Sequence, residues 1–228
     1  MARPRAAGYE IHRDQIRAAA AALFARLGYT AATMSGVAAA SGVSKATLYH
    51  YFSDKHALLE DIVSTHVARL EQLVAQPLPP PAQHLQRPAD ARLRELVGRF
   101  MRAYQGAQNE HRVLTEDVKF LEPRAREAVL EGQRRVVAAF AQGIAACRPD
   151  LDPALHKPLA MLVFGMINWT FTWLKPDGGL THEALGEIAA DLLLGGLPAV
   201  QGAGAAVVGN APRRRPRSVA AAADRIRG

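Results

Sequence analysis

The stretch Thr33–Lys55, T-M-S-G-V-A-A-A-S-G-V-S-K-A-T-L-Y-H-Y-F-S-D-K, constrains this chain more than any other part of it. Thr33 or Ser35 can cap a short helix, because a hydroxyl oxygen there accepts an orphan N–H of the first turn. Val37, with Ala38 and Ala40, is the expected inward face. Ser41-Gly42-Val43 reads as a tight turn, with Gly42 supplying backbone freedom and Val43 packing inward. Ser44 then caps a second helix from Lys45. Leu48 and Phe52, four residues apart, point to the core. Lys45, Ala46, Thr47, Tyr49 and His50 are left facing out. The result is a helix-turn-helix.

Helical periodicity continues along the chain, and no Val/Ile/Thr-rich alternating run marks a strand. Ile16, Ala20, Leu23, Phe24 and Leu27 form one apolar stripe, closed by Gly28. Leu58, Leu59, Ile62, His66, Leu70 and Leu73 form another, with His66 as a packing residue. Further helices are expected over 89–108, 111–121, 123–146, 153–174 and 181–194. Pro77–Pro81 and Pro88 mark a connection between the fourth and fifth helices. The expected division is a helix-turn-helix domain over 9–55, a helical domain over 56–198, and a flexible basic tail over 199–228.

A second helix exposed in this way suits the DNA major groove. Lys45 and Thr47 offer donors near its N-terminus, and Tyr49 can meet a phosphate or a thymine methyl. His50 and Tyr51 would reach the backbone. Thr33 and Lys55 each open a helix whose N-terminal N–H groups favour a phosphate.

The chain resembles the TetR family of transcriptional regulators on Phe24, Gly28-Tyr29, Thr33, Val37-Ala38, Ser41-Gly42-Val43-Ser44, Thr47-Leu48-Tyr49, Tyr51-Phe52 and Lys55. Ser41 stands where the family usually has Ala, and Ala46 where Gly is common. The resemblance implies an all-α protein, with an N-terminal three-helix DNA-binding domain and a C-terminal helical domain. It also implies a homodimer built through the last two helices, and double-stranded operator DNA as partner.

The phrase F-G-M-I-N-W-T-F-T-W-L-K-P-D-G-G-L over 164–180 resembles the subgroup that senses acyl-CoA thioesters. The expected function is therefore a ligand-responsive repressor on a palindromic operator, released by a hydrophobic effector such as an acyl-CoA. A drug-like or aromatic effector is the alternative, as is an architectural DNA-binding protein without one. Candidate ligand-binding residues are Phe100, Arg102, Tyr104, Phe120, Met166, Trp169 and Trp173, since apolar ligands take mostly hydrophobic cavities with a few polar anchors. Arg99, Arg124 and Arg126 are further basic residues near this set.

Composition narrows the remaining classes. One cysteine, Cys147, allows neither an intramolecular disulfide nor a thiolate metal cluster. No phosphate loop, zinc motif or nucleophile signature points to an enzyme, a cofactor or a metal. The uncharged, aromatic-rich run 158–174 is short for a membrane span, and a cytoplasmic location is expected. The formal charge of +7 is unevenly spread. Residues 199–228 hold six basic residues and one acidic one, whereas 61–198 hold 15 and 16. The basicity therefore belongs mainly to the tail, and the DNA-binding expectation rests on side-chain placement in 33–55.

Overall fold

The computed structural model describes residues 7–77, 88–175 and 178–201. The Pro-rich connection lies almost wholly outside these residues. So do Pro176 and Asp177 of the expected turn and nearly all of the basic tail, including Arg213–Arg217. Among the described residues all regular structure is helical, which matches the all-α expectation. The helices are α1 (Ala7–Leu27), α2 (Met34–Ser41), α3 (Lys45–Tyr51), α4 (Lys55–Ala75), α5 (Pro88–Gln105), α6 (Gln108–Asp117), α7 (Pro123–Cys147), α8 (Pro153–Ile167) and α9 (His182–Gly196).

Local chemistry fixes the ends of the first four helices. Gly28 (φ 80°) and Gly42 (φ 69°) are the two residues with left-handed backbone among those described. They stop α1 and α2 where an L side chain would be strained. Thr33, Ser44 and Asp54 each accept a backbone N–H three residues on, and so start α2, α3 and α4. Within α2, Val37 and Ala38 face inward, but Ala40 is exposed. In α1 the buried set is Ile16, Ala20, Ala21, Leu23, Phe24 and Ala25; Leu27 is half exposed at the last turn.

Two hydrophobic cores share α4. Leu58, Leu59, Ile62, Val63 and Val67 pack with α1–α3 and with Val113, Leu114, Leu121 and Val129 from α6 to α7. One turn on, Leu70 belongs to a second core built by α5, α7, α8 and α9 around Phe100, Phe140 and Phe164. Basic side chains tie down the ends of these elements. Arg99 donates to the carbonyls of Leu73 in the last turn of α4 and of Gln76 and Pro77 just beyond it. Arg148 does the same for Leu197 and Val200 after α9.

The expected helix over 153–174 is shorter than predicted. α8 ends at Ile167, and Asn168–Thr172 form a 3-10 turn. Thr170 donates its hydroxyl to the Ile167 carbonyl (2.9 Å), and Thr172 donates to that of Trp169 (2.6 Å). Such back-bonding competes with the α-helical ladder and tightens the turn. Gly165 lies in open space and mediates no close approach between the described helices. Two other glycines do: Gly186 of α9 sits against Met101 of α5, and Gly132 of α7 against Val67 and Glu71 of α4.

A Cβ on Gly132 would overlap Val67, which is buried and cannot swing away. Overpacking costs about 1–3 kcal/mol, partly offset by the ~1 kcal/mol helix propensity of Ala over Gly. Gly132→Ala is expected to lower stability by a net ~1 kcal/mol, read as a lower urea midpoint. An unchanged or raised midpoint would show that α4 and α7 are not packed this closely.

Candidate nucleic-acid interface and ligand cavity

α3 is anchored on one side and open on the other. Leu48 is fully buried, and Phe52 follows at its end. Lys45, Ala46, Thr47, Tyr49 and His50 are all exposed. Ser44 accepts the Thr47 N–H at 3.0 Å, and the two hydroxyls lie 2.8 Å apart, so both are engaged at the cap. Thr33 likewise holds the Gly36 N–H at 3.1 Å. Tyr51 is half-buried against Tyr9 of α1, ring centroids 4.6 Å apart, and His50 meets the edge of the same ring at 6.1 Å. Tyr9, a residue that motif spacing does not single out, thus sets the orientation of the end of α3.

Lys55 departs from its expected role as a phosphate contact. Its ammonium donates to the carbonyls of Tyr29 (2.9 Å), Thr30 (3.3 Å) and Ala32 (2.9 Å), and lies 4.4 Å over the Tyr29 ring. Three acceptors take all three of its donors. The first turn of α4 is also occupied by the Asp54 carboxylate, whose bond from the Ala57 N–H lowers its pKa. A carboxylate at that helix start already fills the place of a phosphate. Lys55 is therefore a brace for the α1–α2 loop.

The seven expected ligand residues separate into five places. Phe100 is inside the second core, against Phe140 and Phe164. Arg102 is exposed and pairs with Glu95. Phe120 stacks on Tyr29 at 5.2 Å, at the joint between α1–α2 and the segment after α6. The buried Asp117 beside it has its carboxyl pushed up by desolvation. Met166, Trp169 and Trp173 are exposed, as are Met161 and Leu162 of α8 and Ile188 and Leu192 of α9. Large apolar side chains rarely gather on a solvated surface. Those rings lie on an outer face and not around an internal cavity. Only Tyr104 of the seven borders the cavity described next.

That space is about 160 Å³ and lies between α4, α5, α6, α7 and α8. Val67, Leu70, Val136 and Phe164 supply apolar walls, and Tyr104, His111, Gln133 and Asn168 supply polar groups. The Tyr104 hydroxyl donates to Asn168 Oδ1 at 2.8 Å, and the Tyr104 ring stacks on His111 at 4.0 Å. His111 Nδ1 is 3.2 Å from Nε2 of His66 on α4, while its own Nε2 is buried without a hydrogen-bond partner. Sequence position gave no sign of this pair, because 45 residues separate its members. No group of side chains among the described residues could hold a metal ion, and no described helix is long and apolar enough to cross a membrane.

The comparisons agree with this architecture. Residues 16–62 match the family model for bacterial regulatory proteins of the tetR family, and residues 86–197 match the tetracyclin repressor-like C-terminal domain. The transcriptional repressor KstR2 of Mycolicibacterium smegmatis is 28% identical over 209 residues, 83% of this chain and 92% of its own. A TetR-family regulator from Bordetella parapertussis superposes with a TM-score of 0.71 at 34% identity, over 84% of this chain and 98% of that one. AibR, solved in complex with isovaleryl coenzyme A and operator DNA, shares the fold with a TM-score of 0.66 at 24% identity, over 80% and 98%.

The histidine pair makes stability depend on pH. Desolvation lowers the pKa of His66 to about 3 and that of His111 to about 4. The unfolded chain takes up these protons below about pH 6.5, whereas the folded chain does not until the lowered values. Stability is therefore full above about pH 6.5 and falls as pH drops, by up to ~1.4 kcal/mol per pH unit for each histidine. The urea midpoint is expected to fall between pH 7.5 and 5.5, and the double variant His66→Phe/His111→Phe to show a flatter profile. An equally steep profile in that variant would remove the pair from the account.

Proposed function

The chain belongs to the TetR family of transcriptional regulators, and from that premise we propose a repressor that binds a palindromic operator as a homodimer and releases it when an acyl-CoA thioester binds. The observation that carries the DNA part is α3. It is capped by Ser44, held by a fully buried Leu48, and presents Lys45, Ala46, Thr47, Tyr49 and His50 outward. In a two-fold dimer the two α3 helices would enter successive major grooves about 34–36 Å apart. Thr33 and Ser44 support this surface as caps, and Tyr51 acts through its stacking on Tyr9. Regulators of this family act by binding and not by turnover. The site of action is the cytoplasm, where bacterial DNA lies.

The outer face of α8, the 3-10 turn and α9 supports dimerisation through the last two helices. Leu162, Met166, Trp169, Trp173, Ile188 and Leu192 form an apolar surface of the kind that a second copy covers in an isologous interface. Trp169 and Trp173 accordingly serve dimerisation in this reading, and the effector takes the cavity at Tyr104 and His111. AibR, whose bound isovaleryl coenzyme A accompanies operator DNA, lends the acyl-CoA class its support. An architectural role leaves the cavity and its polar groups without a purpose. A ligand shifts the equilibrium only by its differential affinity for the two conformations, about 1–3 kcal/mol of coupling.

Two variants test the assignment on an operator selected from a random duplex pool. Tyr49→Ala is expected to weaken specific binding by about 1–3 kcal/mol and leave the dimer intact; unchanged affinity would remove α3 as the reading helix. Leu192→Glu is expected to give folded monomers in sedimentation and to lose the operator. A stable Leu192→Glu dimer would move the interface elsewhere.

A further inference from the structure

We propose that Ala46 determines base choice by α3, packing its methyl group on the C5-methyl group of one thymine in each operator half-site. This inference rests on the reading of α3 as the DNA-binding helix and adds the base chemistry that the helix selects.

The direction of each side chain follows from the anchors of α3. Leu48 and Phe52 are buried, and they define the inner side of the helix. Successive α-helical residues are about 100° apart. Ala46, two residues before Leu48, therefore points about 200° away from it, almost opposite the core. His50 points the same way one turn later. Lys45 and Tyr49 lie on one flank, and Thr47 lies on the other. All five are exposed, as this placement requires. In a helix laid in the major groove, the N-terminal residues meet the base edges. Ala46 is thus the side chain of the first turn that faces the groove floor most directly.

Its neighbours are drawn elsewhere. The Thr47 hydroxyl is 2.8 Å from that of Ser44, which also accepts the Thr47 N–H at 3.0 Å. The His50 ring sits edge-on to Tyr51 at 5.5 Å and to Tyr9 of α1 at 6.1 Å, centroid to centroid, and so leans back toward α1. Lys45 makes no hydrogen bond or ion pair among the described residues. Its long stem on the flank can carry the ammonium to a phosphate, a contact that positions the helix without reading a base.

A methyl group neither donates nor accepts a hydrogen bond. Of the four bases, thymine alone presents an alkyl group in the major groove. Against it, Ala46 buries apolar surface on both partners. Against the amino group of adenine or cytosine, or the carbonyl of guanine, the same methyl group displaces water and supplies no partner in return. The preference for thymine is therefore built from both attraction and exclusion.

The test is a deoxyuridine scan of an operator selected from a random duplex pool, because uracil pairs as thymine does and lacks only the C5-methyl group. Each thymine of one half-site is replaced in turn, and binding is followed by fluorescence anisotropy. One replacement is expected to weaken the wild-type protein about fourfold, the scale for burying one methyl group. Ala46→Gly is expected to bind the thymine and deoxyuridine duplexes alike at that position, whatever its overall affinity. Ala46→Gln, offered the random pool again, is expected to prefer adenine there. If no deoxyuridine weakens the wild type while Tyr49→Ala does, the methyl contact is overturned and α3 remains the reading helix. If the sensitive thymine stays sensitive in Ala46→Gly, another side chain meets it and the assignment to Ala46 is overturned. Should Ala46→Gly lose the operator altogether, Ala46→Gln decides, and a retained preference for thymine overturns the proposal. If neither deoxyuridine nor Tyr49→Ala changes the affinity, the reading of α3 fails together with the proposal.

Discussion

Helix α4 belongs to both cores, and the rest of the structure depends on that sharing. Its first three turns fill the core of the helix-turn-helix with Leu58, Leu59, Ile62 and Val63, and Leu70 enters the core of the C-terminal part. A rigid helix held at both ends cannot move at one end alone. Asp61 is gripped by Arg13 and Arg17 of α1, Lys55 braces the loop before α2, and Arg99 holds the carbonyls at the far end. Between these clamps sit His66, bonded to His111, and the close contact with Gly132. In the proposed mechanism a change in the cavity reaches the DNA-reading helices through these packed side chains, and interfaces of this kind shift between discrete arrangements instead of deforming smoothly.

The joint between the two parts has a second component. Tyr29 stacks on Phe120, and Lys55 lies over the other side of the same loop. The buried Asp117 beside them is desolvated. Aromatic stacking and a cation over a ring are each worth about a kcal/mol. Together they keep the α1–α2 loop, and so the placement of α2 and α3, coupled to the segment after α6.

Local signals in the sequence predict the helix-turn-helix well. Thr33, Gly42 and Ser44 act within three or four residues, so their roles as caps and turn can be read from spacing alone. Lys55 cannot be read that way, because its three carbonyl partners lie 23 to 26 residues earlier. The ligand residues were harder still. Aromatic type marks Phe120, Trp169 and Trp173 as apolar, but only tertiary packing decides between joint, outer face and cavity wall. The turn that carries both tryptophans departs from the expected helix because Thr170 and Thr172 bond back to their own chain. The His66–His111 pair has no local signature in the sequence, since its members are on different helices.

In the proposed mechanism an effector in the cavity changes the spacing of the two DNA-reading units. That change is tested most directly by electron-spin distance measurement on a Cys147→Ser chain labelled at Gln15→Cys on the exposed side of α1. Two separations are expected in the free dimer, with operator DNA selecting one and isovaleryl-CoA the other. A single separation that isovaleryl-CoA leaves unchanged while it releases the operator would contradict this mechanism.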